Sequence, residues 1–488
     1  MLPSNPHFQK VQLQHYILKM KNGTLLWFKN DLRLHDNEAL IKAVNRGAPI
    51  LYFYCLDPRL FRTISTGFKK TGYNRFLFLK QTLQDLKESL TSKGVHLVVI
   101  FGKAEEIIPK MIATYDIDHI ITEQEYADEE LKLIKKVREN IPQSIQIEKI
   151  WGKTLYHIDD IPFDISSIPL TSKAYRIPTG KNTEVRKPFD IPKHFPTIVH
   201  QEGFHFPSPK EVGFTDDDVK TAQPYVIGGE QQALRQLQHY TFDSQLLTTY
   251  RWTRNRSLGM DYSSKFSPYL AVGALSPRTV YQQIKKYENE IKKNQSTWWL
   301  VFELVWRDYF TFKAMRMGNN IFKTEGYRSK KLSFTNDITL FNRWCQGVTG
   351  IPFVDAHMRQ LNKTGYMSNR GRVNCASFLV HDYQIDWTWG AAYFEKQLID
   401  YDVTSNWMNW HMQAYEIWYT NPIHQSSKYN AKEYLQKWIP ELKHLDDNFI
   451  HIPWLSGIKS DYPNPVTVYK KWDRSIGRIL KTIEKAES

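Results

Sequence analysis

The sequence predicts an α/β domain, a long linker and a larger all-α domain, and three observations carry that reading. Over the first 155 residues, short β-branched or aromatic runs alternate with amphipathic stretches of helical period. Between residues 156 and 229, Pro, Ser, Asp and Gly crowd out any periodicity. From residue 230 onward, apolar positions recur at helical spacing, with Gly and Pro as punctuation. At 488 residues the chain exceeds one ordinary core.

Residues 24–28, 49–56, 96–102, 119–123 and 145–150 read as strands, and residues 37–45, 73–90, 104–114 and 128–139 as helices between them. Such alternation implies crossover units and a parallel sheet covered on both faces. No GxGxxG follows the first strand, so this domain is a poor candidate for NAD. The α/β domain is assigned to residues 22–155, the linker to 156–229 and the helical domain to 230–488. Eight prolines from Pro162 to Pro209 predict a linker without compact helix or strand, wrapped over the surface. After Trp410 the helices shorten, and the tail from residue 449 reads as Pro-rich and irregular. Residues 1–21 lack Arg, a continuous apolar core and a small-residue cleavage site, and read as a polar extension, with Met20 an alternative start.

Composition narrows the class. No apolar run reaches the roughly 20 residues that span a bilayer, so no membrane partner is expected. Cys55, Cys345 and Cys375 lie far apart, without metal-ligand spacing. That argues against a disulfide framework or a metal site, and for a reducing cytoplasm. A formal charge of +14 attracts phosphate backbones, general solubility being the alternative reading. Aromatics reach 14%, with 15 Trp, most of them after residue 250. They suit a large core, and equally stacking on bases or flavins and electron hopping.

Four clusters stand out as chemistry. Glu303, Trp306 and Arg307 share one face of an otherwise strongly apolar helix. A buried charge there needs an ion-pair partner or a ligand. Asn369, Arg372 and Val373 repeat that spacing. Asp400, Asp402, Asn406 and Trp410 form an acidic pair, an Asn and a Trp one turn on, facing either a ring system or simply a helix N-terminus. The stretch 261–267 (DYSSKFS) offers hydroxyls and backbone N–H groups as an anion cradle before a helix.

These segments resemble one family. WFKNDLRLHDN (27–37), DYSSKFSPYLAVGALSPR (261–278), FELVWRDYF (302–310), WCQGVTGIPFVDAHMRQLNKTGYMSNRGR (344–372) and LIDYDVTSNWMNW (398–410) are similar, in order and spacing, to photolyases and cryptochromes. The wording SSKFSPYL, FELVWRDYF and TGYMSNRGR is that of the cryptochrome-DASH branch.

The resemblance implies a Rossmann-like antenna domain and an all-α domain carrying FAD. By motif, Tyr250, Ser263, Ser264, Lys265, Phe266 and Ser267 hold the diphosphate and nearby atoms, and Arg307 contacts the cofactor. Arg372 pairs with Asp400, Asp400 and Asp402 line the isoalloxazine and ribitol, and Asn406 faces flavin N5. The implied reaction is light-driven repair of cyclobutane pyrimidine dimers, mainly in single-stranded DNA, by an electron from reduced FAD. Glu303 hydrogen-bonds the dimer, Trp306 stacks on it, Asn369 lines the pocket and Arg254 contacts a phosphate. A methenyl folate antenna is implied between the domains, with Glu129 as its acid. The chain is expected to act as a monomer.

Three departures qualify the resemblance. The family's tryptophan wire maps onto Trp410, Trp387 and then Phe334, a ring very hard to oxidise; Trp344, Trp389 or a nearby Tyr are substitutes. The Gly- and Asp-rich loop expected between Trp410 and Asn421 is shortened, and Met408 replaces a family glycine. Val373 replaces a pocket glutamine, and the linker's usual Phe-rich segment reads IPLTSKAYR. A blue-light receptor that binds FAD without repair is therefore the competing reading, although no long signalling tail follows the helical domain. A (6-4) photoproduct enzyme fits less well, because the pocket shows no histidine pair.

Overall fold

The computed structural model describes residues 22–198, 203–328, 332–417, 419–445 and 448–487, so the polar extension and Met20 lie outside the described residues. Strands β1 (Gly23–Phe28), β2 (Ile50–Leu56), β3 (Leu97–Phe101), β4 (Ile117–Glu123) and β5 (Gln146–Ile150) form one sheet in the order β3-β2-β1-β4-β5. Every pairing is parallel, with Thr24 opposite Ile50 on one side and His119 on the other.

The central strand β1 is buried along its whole length, as expected of a strand covered on both faces. Its alternate side chains supply two cores: Leu26 and Phe28 enter one, Leu25 and Trp27 the other. Helices Glu38–Asn45 and Tyr73–Thr91 close the first face, and Ala104–Tyr115 with Asp128–Glu139 close the second. Asn37 caps its helix by accepting from Leu40 N–H at 3.0 Å.

The linker corrects one expectation. Residues Ser172–Asn182 form a helix with Pro178 inside it, despite the proline density. The fully buried Tyr175 ring packs against Tyr309 at 5.4 Å and Phe163 at 6.0 Å. Proline inside a helix costs about 3 kcal/mol. Burying roughly 150–250 Å² of aromatic surface returns about 4–6 kcal/mol, so tertiary packing outweighs local propensity.

In the helical half, the 23-residue helix Gln295–Met317 is the spine. Asn294 caps it, accepting from the N–H groups of Ser296 and Thr297. Around it lie Pro277–Glu290, Pro352–Thr364, Asn369–His381, Trp387–Gln397 and Val403–Tyr415. The tail is a second correction: helix Asp473–Glu487 follows the prolines, and its Ile476, Ile479 and Ile483 enter the core that holds Trp472 and Phe378. Pro453, Pro463 and Pro465 had masked that periodicity.

Buried polar ties lock the two halves together. Asp36 receives Arg278 in a fork, Nη2 at 2.6 Å and Nε at 2.9 Å. Glu230 accepts from Leu34 N–H at 3.0 Å and His35 N–H at 2.8 Å, and its bond to the His35 ring raises that imidazole's pKa. On the spine, Asp308 accepts from Leu155 N–H at 2.9 Å and Tyr156 N–H at 2.8 Å. Gly273, at φ +69°, lies so close to Asn30 O that any Cβ would sit 1.7 Å from it; only glycine fits this crossing.

Candidate active site

The cradle segment holds an unusual cation. Lys265 adopts φ +57°, a left-handed conformation that costs a non-glycine residue about 1 kcal/mol or more. Its side chain is 2% exposed, bonds the Ser263 hydroxyl at 2.8 Å and lies 3.1 Å over the Tyr262 ring. Among the described residues no carboxylate comes within ion-pair distance. Burial therefore pulls its pKa down to about 6, with only the distant Asp261 opposing. Gln236 fixes the loop by donating to Ser264 O at 3.1 Å. Phe266 and Tyr250 are buried, each edge-on to Tyr240, whereas Ser267 is exposed. Opposite Lys265, Tyr366 stacks on Tyr225 at 4.3 Å.

The acidic cluster lies across the same region. Arg372 donates to Asp400 Oδ2 at 2.7 Å and to Met367 O at 2.9 Å, while buried Asp400 Oδ1 has no hydrogen-bond partner among the described residues. Asp402 caps helix Val403–Tyr415 through Ser405 N–H at 2.8 Å. Burial would raise its pKa, but the Arg307 guanidinium and the Ser405 bonds outweigh that and hold it below the ordinary range. Arg307 itself donates to the carbonyls of Lys153 and Leu270, which braces the spine against the α/β half. Asn406 is buried, with its amide on Ala391 O at 3.0 Å.

A buried lysine that cannot keep its charge and an orphaned carboxylate oxygen are costly as they stand. The donor set fits a ligand that brings an anion to Lys265 and a hydrogen-bond donor to Asp400, which is the chemistry of a flavin dinucleotide.

Glu303 and Arg307 do not pair with each other. Glu303 Oε1 accepts instead from Arg254 Nη1 at 2.8 Å and Trp299 Nε1 at 2.9 Å, and burial raises its pKa despite Arg254. Arg254, expected on a phosphate, is thus tied to the pocket acid. Trp306 packs edge-on against Phe302 at 6.1 Å and Tyr309 at 5.7 Å. Asn369 opens helix Asn369–His381 in an exposed position.

Trp410 and Trp387 are both buried, on different ring neighbours. Trp410 meets Trp344 at 6.1 Å and Phe394 at 5.0 Å, and its ring lies on Gly390, whose Cβ would come within 2.2 Å. Trp387 meets Trp407 at 5.9 Å and His411 at 5.8 Å. Phe334 packs only partly buried at the edge of this core. The segment after Trp410 closes on a charge cluster that sequence reasoning missed. Glu416 accepts from Tyr327 and faces Arg328 at 3.3 Å and Lys313 at 3.4 Å. Its neighbour His411, stacked on Tyr327 at 3.9 Å, is kept neutral by burial, with its pKa pushed down to about 3.

Glu129 is 54% exposed and paired with Arg62 at 3.0 Å and with Lys70. The buried acids between the halves are others: Glu123 and Glu125, at 3.0 and 3.3 Å from buried Lys153. Isolated ionic residues inside apolar runs, such as Asp308 and Lys153, were the available signal for these ties.

A doubly wound α/β half bolted to a helical half, whose cup holds a buried lysine without an ion-pair partner among the described residues and an acidic pair, is a two-domain arrangement suited to an anionic cofactor. Known proteins make this specific. The profile described as DNA photolyase matches residues 24–194, and that described as FAD binding domain of DNA photolyase matches residues 299–482. Cryptochrome DASH of Synechocystis sp. is 41% identical over 466 residues, covering 93% of each chain. Cryptochrome DASH of Danio rerio is 40% identical, covering 92% of this chain and 91% of that one. Among solved structures, the Synechocystis cryptochrome superposes with a TM-score of 0.87 at 40% identity, over 95% of this chain and 99% of that one. A class III photolyase from Agrobacterium tumefaciens gives 0.78 at 26% identity, over 95% and 98%. The chain belongs to the photolyase/cryptochrome family, in its DASH branch, and is a FAD-dependent protein. Among the described residues no helix is long and apolar enough to cross a membrane.

Proposed function

We propose that the chain is a deoxyribodipyrimidine photo-lyase that repairs cyclobutane pyrimidine dimers, mainly in single-stranded DNA, as a monomer in a reducing compartment. The observation that carries this reading is Glu303, a carboxyl whose pKa is raised by burial, one helical turn from the Trp306 ring. Burial favours the protonated carboxyl, the form that can donate a hydrogen bond to a pyrimidine carbonyl, and Trp306 offers the flipped bases a stacking face. FAD held by these residues would, in its reduced form, supply the light-driven electron transfer that opens the dimer and takes the electron back. Lys265 neutralises the cofactor's phosphate charge, and Asp400, positioned by Arg372, accepts from the ring edge. Flipping a dimer costs a few kcal/mol in duplex and less in single strands, which favours the unpaired substrate. The antenna is proposed to be a folate between the two halves, on the side where Lys70 joins the exposed Glu129 to Glu395 of the helical half.

The competing reading, a blue-light receptor without repair, is favoured by one observation, the charge cluster of Glu416, Lys313 and Arg328 beside His411. Illumination of the chemically reduced protein with a dimer-containing single-stranded oligonucleotide decides. Loss of dimer is expected; no loss despite bound FAD hands the function to the receptor.

A further inference from the structure

Two tryptophans beside the pocket are exposed. Trp252 is 69% and Trp298 53% exposed, and both belong to aromatic–arginine files that run inward. In the first file, the Arg251 guanidinium lies 4.8 Å from the Trp252 ring and 5.4 Å from the Trp299 ring. Arg254 covers the same Trp299 ring at 4.7 Å and pairs with Glu303. In the second file, Trp298 stacks on Phe302 at 5.1 Å, Arg176 covers Phe302 at 4.4 Å, and Phe302 meets Trp306. Both files begin in solvent and end on the two residues proposed to hold the lesion.

We propose that Trp252 and Trp298 form a stacking platform for the unpaired bases that flank the nucleotide in the pocket, with Arg251 and Arg176 binding the backbone between them. The proposal rests on the repair reading for the identity of the pocket. An open π face accepts any base, so the platform is sequence-tolerant. A duplex keeps its bases stacked inside and cannot present them. The platform would therefore act as the part of the surface that selects single strands. The charge of the files, three arginines against one acid already paired, complements a phosphate chain and not an apolar partner surface.

The test titrates the FAD-loaded protein with an undamaged oligothymidylate of about 16 nucleotides and with a duplex of equal length. Trp252→Ala and Trp298→Ala are each expected to weaken oligothymidylate binding roughly 5- to 150-fold. Trp252→Phe should keep most of the affinity, and duplex binding should change little. In the parent protein, oligothymidylate should shield part of the tryptophan fluorescence from acrylamide, a measurement independent of any variant. The platform is overturned if both alanine variants, with normal flavin absorption, bind oligothymidylate like the parent, or if acrylamide quenching is unchanged at saturation. A parent that binds through both rings yet repairs no dimer would sink the repair reading alone.

Discussion

The Arg254 guanidinium stands 2.8 Å from the Glu303 carboxylate, so the cation expected to meet DNA also governs the acid expected to meet the lesion. Burial raises the Glu303 pKa and Arg254 opposes it. Repair should therefore decline as pH rises through the raised Glu303 value. Glu303→Gln, which donates at every pH, should flatten that profile with a modest loss of rate. Glu303→Ala should cost about 10- to 100-fold, in line with the 1.5–3 kcal/mol of a hydrogen bond to an ionisable group. Single-turnover dimer loss across pH is the measurement.

Trp306→Ala should weaken binding of a dimer-containing oligonucleotide by about 1–3 kcal/mol, the worth of one stacked base. Fluorescence anisotropy against the undamaged strand isolates the lesion-specific part.

Lys265 makes FAD binding a proton-linked event. Its pKa is near 6 in the free protein and near 10.5 in an unfolded chain. Between those values the unfolded chain binds more protons, so cofactor-free stability should rise with pH across that window. Adding the diphosphate restores the charged form, so FAD binding should take up close to one proton at pH 7–8. Calorimetry in buffers of different ionisation enthalpy reads that uptake, and Lys265→Met should abolish it.

The phenyl ring of Phe334 cannot serve as the outer hop from Trp387, so photoreduction of oxidised flavin should be slow. Phe334→Trp should speed it in transient absorption. A long-lived surface tryptophan radical in the parent would overturn this, and Trp389, which shares Phe341 as a ring neighbour with Trp344, is where to look first.

Asp36→Asn tests the bond between the halves. Asp36 sits at φ +51°, which Asn tolerates, so the backbone is kept while the charge is lost and one oxygen that accepts from Arg278 gives way to an NH2 donor. Leaving Arg278 buried and unpaired should cost about 3–5 kcal/mol by urea denaturation. Adding Arg278→Met should recover part of it.

The sheet was legible because β–α alternation is a local signal: helix 128–139 was read to the residue, and the five strands within a residue or two. The helices around Tyr175 and Ile476 were not, because nearby prolines dominate a local reading while the aromatic partners that stabilise them lie elsewhere in the chain. In the site, residue types were readable but pairings were not. Nothing in FELVWRDYF says that Glu303 turns to Arg254 and Arg307 to two carbonyls, since those choices are made by folding.

Among the described residues, the Asp308 carboxylate, with its pKa pushed up to about 7, is satisfied only by the Leu155 and Tyr156 backbone donors at the end of the α/β half. The helical half is thus not a portable module. Expressed from residue 230 onward, it would carry Asp308, Glu230 and Arg278 with their counterparts cut away. Its ability to hold a cofactor would depend on supplying residues 22–229 in trans, and in recombination the two halves should be inherited as a pair.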